Sequence, residues 1–371
     1  MKLHINKQEL LQPLIKVVNV VEKKQTIPIL ANVLIKASDE YLLLLCTDLE
    51  VESRIRIDQT HYQEAHGGCT VDAKTLLDIV RALPEEQLIS LQQIRDHLQI
   101  TSGKSKFSLQ TLPIEDFPLA ENNDWDFETE IDQQPLKRMI ELCVFTMAHH
   151  DVRFFLNGML FRFMPGKLIT VATDGHRLGM AQIINDNLRH ELDVIIPRKA
   201  IVEINRLLEY KDQIITLQMN KHYFRLNIGS LSFICKLIDA QYPDYSPLIP
   251  TDLDKNILIN REAFLQAANR SAILCSEKKP GVRIVVTENM LTLAVATIEH
   301  ENAREELSVQ YNGPAFEVGY NIMYLIEAAK SMETEKICLQ IGNIESGCII
   351  SSAQPMDYVA ECKYLVMPIR L

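Results

Sequence analysis

Residues Phe155–Met180, FLNGMLFRFMPGKLITVATDGHRLGM, decide how the chain is read. The stretch has the alternation of two short strands joined by a turn. It ends in Thr173-Asp174-Gly175-His176-Arg177-Leu178, which on its own resembles a catalytic loop with a histidine base. A weaker form occurs once before it, at Leu42-LLLCTDLE, and once after it, at Leu291-TLAVATIEHE. The stretch is the middle copy of a repeat with a period of about 125 residues.

A helical segment recurs in register with it: Thr75-LLDIVRA-Leu83, Ala200-IVEINRL-Leu208 and Tyr324-LIEAAKS-Met332. Each copy carries an acid (Asp78, Glu203, Glu327) three residues before a base (Arg81, Arg206, Lys330), a spacing that suits an ion pair on one helix face. Its apolar residues fall on the opposite side. A strand ending in Leu-Gln follows each helix, at Gln87-LISL-Gln92, Gln213-IITL-Gln218 and Glu335-KICL-Gln340. Each third opens with a further helix headed by Asn6, Asp132 or Asn260, side chains suited to N-capping. The pattern predicts an α+β chain of three like domains, each with two helices among about eight short strands. Breaks at Asn122-Asn-Asp-Trp125 and Tyr245-SPLIPTD place the domains at 1–125, 126–250 and 251–371.

With 47% hydrophobic and 23% charged residues, the chain has a soluble globular composition. Its longest apolar runs, Tyr41–Cys46 and Leu168–Ala172, are far short of the ~20 residues of a membrane span. The N-terminal MKLHINKQELLQPL shows no secretory signal, and eight scattered cysteines include no C-x-x-C pair. A cytoplasmic protein without disulfides, metal or cofactor is expected. The net charge is −11, yet the helical segments 6–24, 71–83, 132–150, 196–208, 260–270 and 318–330 together carry +5, leaving −16 elsewhere. Three such domains set around a curve with helices inward would hold a duplex through its phosphates, without base readout.

Three sharper readings fail on their own terms. The Asp174-His176-Arg177 group lacks a nucleophile elbow, and the first copy has Asp48-Leu49-Glu50 in its place. Gly103-Lys104-Ser105 is preceded by Leu98 where a phosphate loop needs glycine. His149-His150 lacks a ligand partner at helical spacing and reads better as a helix end near a phosphate.

In combination, Thr26-IPILANVLI, Asp151-VRFFLNGMLF, Thr173-DGHRL, Ile196-PRKA, Tyr242-PDY and the terminal Val366-MPIRL resemble the bacterial DNA polymerase III beta subunits, the replicative sliding clamps. The resemblance covers the whole chain. It implies half of a closed ring, completed by a head-to-tail homodimer around double-stranded DNA, with no catalytic residue. It also implies a pocket for peptide tails of polymerase subunits, clamp loader and repair factors. The matching pocket positions are Leu156, Thr173, Gly175, His176, Arg177, Leu178, Pro243, Leu248, Asn321, Tyr324, Met367, Pro368, Ile369 and Arg370. For DNA they are Lys24, Lys74, His150, Phe154, Phe155, Arg198 and Lys199, and for the dimer seam Phe107, Leu109, Ile273 and Leu274. The chain departs from the family in Ser246-Pro247, where members are basic, and in Phe154-Phe155, where they commonly carry two tyrosines.

Overall fold

The computed structural model describes residues 1–22, 26–58, 66–120, 124–276, 280–296, 301–343 and 346–370. Lys24 lies outside them. The first third runs β1 (Lys2–Ile5), α1 (Lys7–Val18), β2 (Asn32–Ala37), β3 (Tyr41–Thr47), β4 (Val51–Asp58), β5 (Gly67–Asp72), α2 (Ala73–Ala82), β6 (Ile89–Ile94), β7 (His97–Ser102) and β8 (Ser105–Gln110). The second runs β9 (Phe127–Asp132), α3 (Gln133–Cys143), β10 (Gly158–Met164), β11 (Lys167–Thr173), β12 (Arg177–Ile184), β13 (Leu192–Pro197), α4 (Arg198–Leu207), β14 (Ile214–Met219), β15 (Tyr223–Ile228) and β16 (Leu231–Lys236). The third repeats the order with β17 (Lys255–Asn260), α5 (Arg261–Ala272), β18 (Gly281–Thr287), β19 (Met290–Ala296), β20 (Asn302–Ser308), β21 (Phe316–Asn321), α6 (Ile322–Ser331), β22 (Lys336–Ile341), β23 (Cys348–Ser352) and β24 (Glu361–Val366).

The strands sort into sheets that cut across the thirds. In one compact unit, an eight-stranded sheet has the order β5-β2-β3-β4-β16-β15-β14-β9, beside a four-stranded sheet β1-β6-β7-β8. In the other unit the eight-stranded order is β13-β10-β11-β12-β24-β23-β22-β17, beside β20-β19-β18-β21. Each third thus contributes two four-stranded halves, and the middle third lends one half to each unit. At the joins, β4 pairs antiparallel with β16, and β12 with β24.

The helices follow from their apolar spacing. In α2, Ala73, Leu76, Leu77 and Val80 form one buried stripe, and Asp72 caps the start by accepting from Thr75 N at 2.8 Å. Asn260 caps α5 and Asn321 caps α6 in the same way. Asn6 departs from expectation, making no side-chain cap and supplying only its carbonyl, to Leu10 N at 3.2 Å. The expected ion pair forms in α2, between Arg81 and Asp78 at 3.3 Å. In α6 the equivalent Glu327 pairs instead with Arg177, because β12 brings a guanidinium within its reach. All eight cysteines are free, and burial pushes the Cys69, Cys348 and Cys362 thiols up to about 12. Among the described residues, no helix is long and apolar enough to cross a membrane.

Candidate functional site

The Thr173–Leu178 turn is built by its own side chains. Thr173 Oγ1 accepts from Gly175 N at 3.0 Å and donates to Arg177 O. Asp174 Oδ1 accepts from His176 N at 2.9 Å and Arg177 N at 3.0 Å, and its Oδ2 accepts from Arg177 Nε at 3.0 Å. Gly175 sits at φ +87, a left-handed backbone that glycine adopts without the cost other residues bear, beside the Arg153 guanidinium. Both Asp174 oxygens are engaged within the turn and hold it as one wall.

Arg177 is the hub of this wall. Its guanidinium also donates to Glu327 and, at 2.7 Å, to Phe145 O. It lies 4.3 Å from the Tyr324 ring centre and 5.4 Å from that of Phe145. Burial, together with the nearby Asp174 carboxylate and against the pull of Arg177, raises the Tyr324 hydroxyl pKa. Replacing Arg177 by alanine leaves Asp174 and Glu327 without their cation. It is expected to cost about 3 kcal/mol, read as a lower denaturant midpoint.

The C-terminal segment closes the other side. Arg177 and Leu178 pair with Val366 and Leu365 across the β12–β24 join. Beyond the join, Met367 N donates to His176 O at 3.0 Å and Ile369 N to Gly319 O at 2.8 Å. A third side comes from Tyr242-Pro243-Asp244-Tyr245. Both tyrosine rings are buried in a cluster with Leu160, Val171, Leu178, Ile195 and Leu365, leaving Pro243 exposed between them. Asp244 accepts from Ser246 N at 3.0 Å and starts the short turn Ser246–Leu248. A cleft of about 620 Å³ adjoins this segment, lined by Leu160, Arg162, Asp193, Ile195, Tyr242 and Asp244.

The structure therefore brings Thr173, Gly175, His176, Arg177, Leu178, Asn321, Tyr324, Met367 and Ile369 onto linked backbone, with Pro243 and Leu248 on the neighbouring segment. Pro368 and Arg370 belong to the same tail. Leu156 and Leu178 are each only 2% exposed and lie beneath the surface. The exposed apolar surface is Leu248 (55%), Met323 (46%), Met367 (38%) and Ile369 (37%). Met323, Phe145 and Glu327 were not anticipated as site residues. Only Glu327 left a signal, as the acid of the repeated helix.

The residues matched to DNA contacts are spread over both units. Lys74 is exposed on α2, its Nζ donating to Glu22 O at 3.2 Å. His150 is exposed in a left-handed backbone at φ +58, edge-on to the His149 ring. Arg198 opens α4, and its guanidinium donates to Met147 O at 3.0 Å and Val144 O at 3.4 Å, so part of it is committed to the fold. Lys199 follows it, half-buried. The aromatic pair is divided: Phe154 is 74% exposed, whereas Phe155 packs edge-on against Tyr242 in the apolar cluster. In the preceding loop, hydrogen bonds from Arg153 hold the Asp151 carboxyl down at about 2.

Phe107 and Leu109 lie on β8, an edge strand, with Phe107 38% exposed. Ile273 and Leu274 follow α5, which packs on the other edge strand, β20, through Arg270 and Glu305 at 2.6 Å. Ile273 is 78% exposed.

Comparison with known proteins gives a consistent result. Family models for the DNA polymerase III beta subunit match throughout: the N-terminal domain at residues 1–121, the central domain at 130–244 and the C-terminal domain at 246–370. The beta sliding clamp of Pseudomonas putida is 37% identical over 370 residues, covering 99% of both chains. The crystal structure of the DNA polymerase III subunit beta from Pseudomonas aeruginosa superposes with a TM-score of 0.96 at 36% identity, covering 100% of both chains. A sliding clamp from the same organism bound to griselimycin superposes with a TM-score of 0.95, again at 36% identity and full coverage.

Proposed function

This chain belongs to the DNA polymerase III beta subunit family, three-domain processivity factors without catalytic activity, and from that premise we propose that two copies close head to tail into a ring around duplex DNA. The observation that carries the proposal is the pair of open strand edges, β8 and β20. In the repeat, β8 is equivalent to β16 and β24, and β20 is equivalent to β4 and β12. The pairs β4–β16 and β12–β24 are made within the chain. The pair β20–β8 is the one left, and a second copy supplies it. An uncovered edge with apolar neighbours is otherwise a liability in solution.

The internal joins also support a register for this seam. Phe233 lies opposite Ser53, and Tyr364 opposite Gly179, an aromatic ring over a small residue each time. The equivalent pair across the seam is Phe107 opposite Ala303. Phe145, whose ring centre lies 5.4 Å from that of Tyr364, has Ile273 as its equivalent, which sets Ile273 against Phe107 of the second copy. Leu109 and Leu274 extend the same apolar contact.

Within the ring, Lys74, His150, Phe154, Arg198 and Lys199 face the duplex, and Lys24 lies outside the described residues. Phe155, beside Phe154 in the chain, packs in the apolar cluster against Tyr242. Their work is electrostatic and independent of sequence, because closure is topological and tight binding would impede sliding. Domain limits of 1–125, 126–250 and 251–371 and a cytoplasmic location accompany this reading. Polymerase, clamp loader and repair factors dock short peptides on the surface of Leu248, Met367, Ile369 and Tyr324 over the Leu156 and Leu178 floor, with the Arg177 turn as its wall. Neighbouring Met323 enlarges the apolar area.

Ring closure is tested by loading the protein on nicked circular DNA: retention is expected, with release when the circle is cut. Release from the intact circle would overturn the reading. The double substitution Lys74→Ala with Lys199→Ala is expected to shorten retention. It should also lower the salt slope of DNA binding by roughly 0.9 for each phosphate no longer neutralised, with peptide affinity unchanged.

A further inference from the structure

The first third holds a second copy of the Thr-Asp turn, and this copy has a cleft of its own. Thr47 Oγ1 donates to Val51 O at 2.8 Å and accepts from Leu49 N at 3.1 Å, as Thr173 does with Arg177 and Gly175. Asp48 Oδ1 accepts from Glu50 N at 2.9 Å and Val51 N at 2.8 Å, as Asp174 does from His176 and Arg177. Even the strand-end bond recurs, with Lys236 N donating to Glu50 O at 2.9 Å where Met367 N donates to His176 O. The cleft encloses about 350 Å³, and its lining includes Leu49, Glu50, Pro118, Leu119, Ile234 and Lys236.

Two exposed leucines line this cleft. Leu49 takes the place of Gly175 and keeps the left-handed backbone, at φ +79, which a leucine rarely adopts. Its side chain is 46% exposed and lines the cleft. Leu119, 61% exposed, stands on the linker at the other lip, which is fixed by Ala120 N donating to the buried Glu52 carboxylate at 2.9 Å. The charges at the mouth also differ from those of the second copy. Lys236 stands where Met367 is, and Glu50 where His176 is, both exposed.

We infer that this cleft is a second docking site, taking an extended peptide segment of a partner protein with one aliphatic or aromatic side chain between Leu49 and Leu119 and an acidic residue beside it on Lys236. The volume fits one large side chain with its flanking backbone, and Glu50 disfavours a longer acidic run. The inference rests on the reading of the Thr173–Leu178 turn as a docking wall, but selects a different charge.

The test uses the full chain with leucine and methionine methyl labels and two capped tripeptides, acetyl-Asp-Leu-Phe-amide and acetyl-Lys-Leu-Phe-amide, followed by NMR. The acidic peptide is expected to shift the Leu49 and Leu119 methyls, and the basic one to leave them unmoved. Lys236→Glu should weaken the acidic peptide at least tenfold at this site. So should Leu49→Gly, which installs the residue that the same turn carries at Gly175. Unmoved Leu49 and Leu119 methyls, equal response to both peptides, or indifference to Lys236→Glu would overturn the inference. Shifts at Leu248 and Met367 report the other site in the same spectra. Their absence alone would count against the first docking surface and leave this one standing.

Discussion

Changing Ile273 and Leu274 together to alanine should turn the protein into a folded monomer, seen as a halved mass in sedimentation. Each side chain removed from a buried apolar contact costs about 2 kcal/mol. A two-copy ring contains two seams, so the loss reaches about 8 kcal/mol, roughly six orders of magnitude in the dimer dissociation constant. Ala303→Phe tests the register separately. A second ring where Phe107 needs a small neighbour should open the seam as well, while the same change at exposed Asn302, pointing the other way on β20, should not. A dimer that survives both the double alanine change and Ala303→Phe would refute the seam.

The second large effect concerns the C-terminal tail. Removing Met367–Leu371 deletes two of the exposed apolar side chains and the strand-end bond to His176. A polymerase tail peptide should then bind at least 100-fold more weakly, about 3 kcal/mol. Ring mass and retention on nicked circles should be unaffected, because neither depends on this edge of the third domain. Unchanged peptide binding would mean that the docking surface lies elsewhere.

The repeat was legible in the sequence because strand and helix periodicities recur in register, and because the N-cap at Asn260 and the ion pair in α2 are local interactions. The joins were not. Ile55 and Leu231 pair across the β4–β16 join from thirds of the chain far apart in sequence, and nothing near either residue announces the other. Burial was equally hidden: Leu156 and Leu178 are each only 2% exposed, and a leucine's letter does not say how deep it lies. Glu327 looked like a partner for Lys330, since spacing along a helix reveals local neighbours only. Arg198 was legible as a cation, but its bonds to the carbonyls of Met147 and Val144 depend on where α3 ends.

The two internal joins also differ in what bridges them. At β12–β24, the Tyr364 hydroxyl donates to Leu142 O at 2.7 Å and accepts from Ser331 at 2.7 Å, a bolt for which Phe233 and Phe107 have no hydroxyl. Both internal joins are bypassed by continuous chain as well. If tension were applied around the rim of the proposed ring, these two joins would share the load between hydrogen bonds and covalent linker. The β20–β8 contact would carry it on hydrogen bonds and apolar packing alone. In such a ring, deformation would concentrate at the one link without a backbone running through it.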